Sequence, residues 1–417
     1  MSEEIVAFKG GLLIDGTGGP IVEDSTVLVR GGRILEVGPS RKVRAPREAK
    51  AIDAGGKTIM PGLMDLHVHV FQMIGETNPL TRFFAPPSLN VLYAVKHLGQ
   101  MLDAGFTTAR DLVYPFQNYT GRDLVAVRTA LERGLVRGSR LFTAGVVAPT
   151  AGHLDVIRPA PLRLPEMTAD GVHEVRKQTR VCLREAVDWI KTTTTGGMAG
   201  SMLNQPGYPN YTVEELRVIV EEAHAVGVKT ASHSEGIVGC RNAVEAGIDT
   251  LEHATELDDD LIERILREDI SITLTMGLYI YQEEVLHEKS SYLPKTLGGR
   301  PFHEVELESH KRAYTAGVNI AMGTDCGPIL PPGKNAYELE AYVHRLGMSP
   351  MDAILTATRN SARALGKLGE LGTVEEGKIA DLIMVDGNPL KDIRVLQDPN
   401  RMKIVMKDGV IEVDRRA

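Results

Sequence analysis

From about Pro61 to Leu365, short apolar runs alternate with stretches whose apolar residues recur at helical spacing. The runs that read as strands are Leu63–His69, Thr107–Leu112, Leu141–Val147, Trp189–Thr193, Lys229–Ser234, Thr250–His253, Ser271–Thr275 and Asn319–Thr324. Amphipathic helices separate them, such as Thr212–Val226, which opens on a Thr212-x-x-Glu215 capping box. Eight strands alternating with helices over about 300 residues predict an α/β fold, a closed (β/α)8 TIM-like barrel. An open doubly wound sheet is the alternative, but its Gly-rich phosphate turn is missing after the first strand.

The two ends of the chain follow another pattern. Thr26–Arg30 and Arg33–Val37 flank Gly31-Gly32, and Lys403–Lys407 and Val410–Val413 flank Asp408-Gly409. Both units read as hairpins with two-residue turns. Ala380–Val385 adds another short strand. The terminal segments, residues 1–60 and 366–417, are expected to pair into one small β-sandwich, leaving residues 61–365 as the barrel.

Composition narrows the function classes. With 43% hydrophobic residues in 417, a sizeable core is available. The formal net charge of −8 comes without a basic stripe, which argues against a nucleic-acid partner. Cys182, Cys240 and Cys326 lie far apart and form no CxxC pair, as suits small core residues in a reducing compartment. The chain starts MSEEIVAFKG, acidic at once, and no apolar run approaches the ~20 residues of a membrane span. A soluble, cytoplasmic protein without a membrane partner is expected.

The first strand carries Asp65-Leu66-His67-Val68-His69. Residues two apart share a strand face, so His67 and His69 can point together into the barrel mouth, half of a divalent-metal site. Alone the pattern is weak. Its weight comes from Lys191, His233, His253 and Asp325, which stand at the ends of four further candidate strands. In a parallel barrel all C-terminal strand ends open on one face, so the six side chains converge. Lys191 is the odd member, because an ammonium repels metals. Among cations and in a buried place its amine should be neutral, able to add carbon dioxide and become an anionic, two-oxygen carbamate. A substrate-binding ammonium is the other reading.

Several motifs together carry a family resemblance. They are Pro61-Gly62-Leu63-Met64-Asp65-Leu66-His67-Val68-His69, Gly105-Phe106-Thr107-Thr108-Ala109-Arg110-Asp111 and Trp189-Ile190-Lys191. Gly247-Ile248-Asp249-Thr250-Leu251-Glu252-His253, Gly323-Thr324-Asp325 and Gly377-Lys378-Ile379-Ala380-Asp381-Leu382 complete the set. The chain resembles the amidohydrolase superfamily along nearly its whole length, in the branch of imidazolonepropionase-related enzymes and Xaa-Pro dipeptidase-like peptidases. The resemblance implies two metals, usually zinc, one on His67, His69 and Asp325 and the other on His233 and His253, bridged by carboxylated Lys191. It also implies a small-molecule substrate and assembly into a homo-oligomer.

The chemistry expected of such a centre is hydrolysis. Two metals sharing a water lower its pKa towards neutrality, and the bridging hydroxide attacks a carbonyl that one metal polarises. Asp325 would take the proton and pass it to the leaving amine, or serve as ligand only. His153, in Pro149-Thr150-Ala151-Gly152-His153, matches a family Gly-His that contacts substrate; as a lone loop histidine it would be solvated. Some prolidase-like members carry a tyrosine two residues after the strand-five histidine. Here Glu235 stands there, either solvated or facing a basic or amine-bearing group. Arg110-Asp111 reads as a buried structural pair or as pocket floor. His97, His173, His224, His310 and His344 fall on helices, as surface or packing residues.

Two long loops should wall the pocket. One holds Phe83 and Phe84, and the other, after strand seven, holds Tyr279, Tyr281, Tyr292 and Pro294. They suit a substrate with one hydrophobic side, as a lid, or a contact with a neighbouring subunit. Amide hydrolysis of a dipeptide or N-acyl amino acid is the leading function. Opening of a cyclic amide or deamination of a heterocycle is the alternative. Such deaminases place a glutamate three residues after the strand-five histidine and lack the strand-four lysine. Here position 236 is Gly236, and Lys191 is present. A non-enzymatic scaffold would not need the intact ligand set.

Overall fold

The computed structural model describes residues 4–73, 85–113, 120–157, 165–198, 203–287, 296–327 and 329–416. Phe83, Phe84, Tyr292 and Pro294 of the expected pocket walls lie outside them. Eight parallel strands run Leu63–Val68, Phe106–Asp111, Arg140–Val146, Trp189–Thr193, Lys229–Ser234, Thr250–His253, Ser271–Thr273 and Ile320–Ala321. They follow one another in spatial order. The eighth returns to the first: Leu66 N–H donates to the Met322 carbonyl, Asp325 N–H to His67 and His69 N–H to Cys326. The result is the expected α/β barrel.

Most of these strands are buried along their whole length because helices cover the outside and side chains fill the inside. Alternation decides which residues go where. Trp189 and Lys191 point inward on the fourth strand, while Ile190 packs outward against Leu216, Ile219 and Val175 of the covering helices. The helix Val213–His224 begins on the Thr212–Glu215 capping box, with both reciprocal hydrogen bonds formed. The last two strands are shorter than the sequence pattern suggests. The chain leaves extended geometry at Thr275 (φ 59°) and Asp325 (φ 53°) to present these side chains at the mouth.

The terminal segments form one mixed sheet of eight strands, Val6–Leu13, Val22–Arg30, Arg33–Pro39, Lys50–Asp53, Thr58–Pro61, Leu382–Val385, Met402–Lys407 and Val410–Asp414. Both expected hairpins are present, with Arg30 opposite Arg33 and Lys407 opposite Val410. Strands from both ends of the chain share a core of Phe8, Val27, Ile34, Ile52, Ile59, Met384, Ile404 and Met406. Met60 pairs with Ile383, and after Gly62 the chain runs directly into the first barrel strand. Arg140 on the third barrel strand bonds Asp381 at 2.5 Å, which ties the barrel's base to this sheet. The three cysteines are buried and unpaired, as their spacing suggested. Among the described residues no helix is long and apolar enough to cross a membrane.

Candidate metal centre

His67 and His69 leave the first strand on one face and meet Asp325 from the end of the eighth. Nε2 of His69 lies 2.9 Å from Asp325 Oδ1 and Nε2 of His67 lies 3.9 Å from it. One ligand atom from each of the three sits within 4.8 Å of the others, so this group could hold a metal ion. Burial works to raise the Asp325 carboxyl, but the His69 hydrogen bond and the imidazoles of His67 and His253 hold it well below the usual carboxylate range. It is therefore an anion at the barrel mouth. Burial lowers His67 to about 4, helped by Lys191 and opposed by Glu252.

The fifth and sixth strands bring the next two histidines. The His233 and His253 rings lie 4.5 Å apart, and His253 lies 5.0 Å from His67. Burial first, then neighbouring cationic groups, push both well below the ordinary histidine value, so both are neutral and have a lone pair to offer. His253 follows Glu252, and adjacent strand residues normally face opposite ways. The left-handed φ of 71° at His253 breaks that alternation, so both side chains reach His67.

Lys191 ends in a buried Nζ with no hydrogen-bond partner among the described residues. Burial lowers it to about 8, with Glu252 and Asp325 opposing the fall and Arg110 assisting it. An orphaned, weakly basic amine beside three neutral imidazoles and a carboxylate fits a donor set for divalent metal.

Two side chains for which solvation was one of two readings are buried. His153 is not solvated: it is 9% exposed and stacks on His233 with centroids 4.1 Å apart. Its Nδ1 lies 3.0 Å from Asn204 Oδ1. A Cβ on Gly197 would lie 2.5 Å from His153 and 2.9 Å from His233, so only glycine lets that loop pass. Glu235 is also not solvated, being 2% exposed with Oε1 3.6 Å from His233 Nε2. Tyr279 sits on the helix Gly277–Glu284 and meets Phe302 edge-on at 6.3 Å.

Arg110 and Asp111 do not pair. As strand neighbours they face opposite sides, and Asp111 accepts the N–H groups of Val70 and Val113. Arg110 instead crosses the barrel to Glu252, a residue the sequence reading left without a role. The inward parity of Thr250 and Glu252 was the signal for it. Of the helical histidines, His97 is buried and bonds the Val70 carbonyl, and His310 bonds that of His253. His173, His224 and His344 are exposed.

A parallel barrel with histidines and an aspartate gathered at its C-terminal mouth defines a class of hydrolase, and comparison with known proteins agrees. The model of the amidohydrolase family matches residues 58–411. Ochratoxinase of Aspergillus niger is 30% identical, over 97% of this chain and 86% of that protein. Imidazolonepropionase of Pyrobaculum arsenaticum is 25% identical, over 93% of this chain and 92% of its own length. A solved Xaa-Pro dipeptidase with methionine bound in its active site superposes with a TM-score of 0.85 at 29% identity, covering 98% of this chain and 99% of that one. The chain belongs to the amidohydrolase family. It is a hydrolase, of a family that is generally metal-dependent and acts on small molecules.

Proposed function

We propose that this enzyme hydrolyses the amide bond of a dipeptide or an N-acyl amino acid at a binuclear divalent-metal centre, with zinc as the metal. The observation that carries the reading is the convergence of His67, His69 and Asp325 within 4.8 Å beside the orphaned amine of Lys191. His67, His69 and Asp325 would hold one ion and His233 and His253 the other, with carboxylated Lys191 between them. Two such ions would supply a water of near-neutral pKa and Lewis acidity for the carbonyl under attack.

The chain's own groups do the rest. Asp325 takes the proton of the attacking water and returns it to the leaving amine, a role open to a carboxylate that is ionised at neutral pH. His153, held by Asn204 against His233, contacts the substrate beside the His233 end of the centre. Glu235, buried beside His233, faces an amine-bearing part of the substrate. Tyr279, backed edge-on by the buried Phe302, would offer an apolar face to one side chain. The methionine in the dipeptidase relative supports an amino-acid-sized pocket.

Turnover of a panel of dipeptides, N-acyl amino acids and cyclic amides by zinc-loaded protein tests the reading. Hydrolysis of the first two classes is expected. Turnover confined to cyclic amides would move the function to the imidazolonepropionase type of reaction, and a fixed content of one metal at full activity would remove the binuclear centre.

A further inference from the structure

His253 is held by the strand next to its own. Thr275, two residues past the end of the seventh strand, places Oγ1 2.7 Å from His253 Nδ1. The threonine has a φ of 59°, a left-handed conformation that is costly for a β-branched residue. Such strain persists only where the surroundings over-determine the backbone.

One buried side chain grips the turn that follows Thr275. The next two residues, Met276 and Gly277, donate their N–H groups to Oε1 and Oε2 of Glu338 at 2.9 and 2.7 Å. Glu338 is fully buried on the short helix Tyr337–Ala341, after the eighth strand. A Cβ at position 277 would lie 2.5 Å from Glu338 Oε2, so the glycine is what permits this grip. Both carboxyl oxygens thus accept from the turn that aims the Thr275 hydroxyl.

We infer that Thr275, clamped by Glu338, is a positioning residue that fixes His253 as the tautomer with hydrogen on Nδ1. A hydroxyl can serve either tautomer; in the one inferred here Nδ1–H donates to Thr275 Oγ1, and Nε2 is left as the nitrogen for a metal. The clamp acts on the His233/His253 half of the centre. The role of His253 as a ligand rests on the binuclear reading above, whereas its tautomer does not.

Thr275→Val keeps the shape and the β-branch but removes the hydroxyl, and Thr275→Ser keeps the hydroxyl. Long-range proton–nitrogen correlation on metal-free, histidine-labelled protein reads the tautomer. Wild type and Thr275→Ser should show hydrogen on Nδ1 of His253, and Thr275→Val a mixture. In zinc competition against a chelator, Thr275→Val should weaken one ion by about 10–100-fold and leave the other unchanged. Glu338→Gln, which can accept only one of the two N–H bonds, should shift both readouts the same way. A single unchanged tautomer with wild-type zinc affinity in Thr275→Val overturns the inference; should that variant not fold, the same result in Glu338→Gln does so. If wild type binds one zinc only, the binuclear reading fails while the tautomer measurement still decides this one.

Discussion

Arg110 and Glu252 form a fully buried ion pair across the barrel, from the second strand to the sixth, with Nη2 2.7 Å from Oε1. The second oxygen of Glu252 accepts from His67 Nδ1 at 2.9 Å. Arg110 is fixed in turn by the Leu66 carbonyl at 2.6 Å and by the face of Trp189 at 4.4 Å. One carboxylate therefore settles the tautomer of His67 and neutralises a buried guanidinium. Burial alone would raise Glu252, but Arg110 and His67 hold it well below the usual range.

Glu252→Gln should accordingly do two kinds of damage. It leaves Arg110 as an uncompensated buried charge, a loss of about 3–5 kcal/mol in denaturant unfolding. It also frees the His67 ring, which should lower metal affinity by about 10–100-fold. Chelator titration and urea unfolding of the same preparation separate the two. Wild-type values in both would show that the pair neither orients His67 nor supports the barrel.

Lys191→Ala should lose one metal and roughly 10²–10³-fold in kcat, because Lys191 is the proposed bridge between the two half-sites. Acetate or propionate, added in the space left by the side chain, should restore part of the rate. Elemental analysis checks the metal and steady-state kinetics the rest. Two bound metals and full activity in the variant would leave Lys191 with the substrate-binding role.

How much of this was legible in the sequence depended on range. Trp189–Thr193, Lys229–Ser234 and Thr250–His253 end where the apolar pattern ends, because each strand is bounded by local chemistry. The expectation that side chains at the strand ends share one mouth followed from the barrel topology alone, and His67, His69 and Asp325 do meet there. Arg110 was misread because its partner is 142 residues away and becomes a neighbour only when the barrel closes. Glu252 was passed over beside His253, since strict alternation allows only one of two adjacent residues to face the site. The left-handed turns at His253 and Thr275 that overrule alternation have no signature in residue type.

Glu306 gives a prediction about pH. It lies on the buried stripe of the helix Phe302–Ala316, and burial raises it from 4.5 to about 8. The folded protein then keeps a proton that the unfolded chain releases above 4.5, so stability should fall as pH rises from 4.5 to about 8. Glu306→Gln removes the titration and should gain stability on wild type across that window, by a few kcal/mol at most at its upper end. Thermal melts of both proteins from pH 5 to about 9 measure it. Parallel curves would mean that Glu306 ionises in the fold without cost.

The last prediction separates Asp325 the ligand from Asp325 the proton carrier. Its Oδ1 lies 2.9 Å from His69 Nε2, in the group of donors that could share a metal. Asparagine keeps one oxygen for that metal but cannot take a proton. If the carboxylate moves a proton, Asp325→Asn should retain much of its metal and still lose about 10²–10⁴-fold in turnover. If the carboxylate only holds the ion, the variant should lose metal first, and added zinc should bring the rate back. The two outcomes need turnover and metal content measured together across a zinc series. Recovery of near wild-type turnover at excess zinc would remove the proton-carrying role and leave Asp325 as a ligand alone.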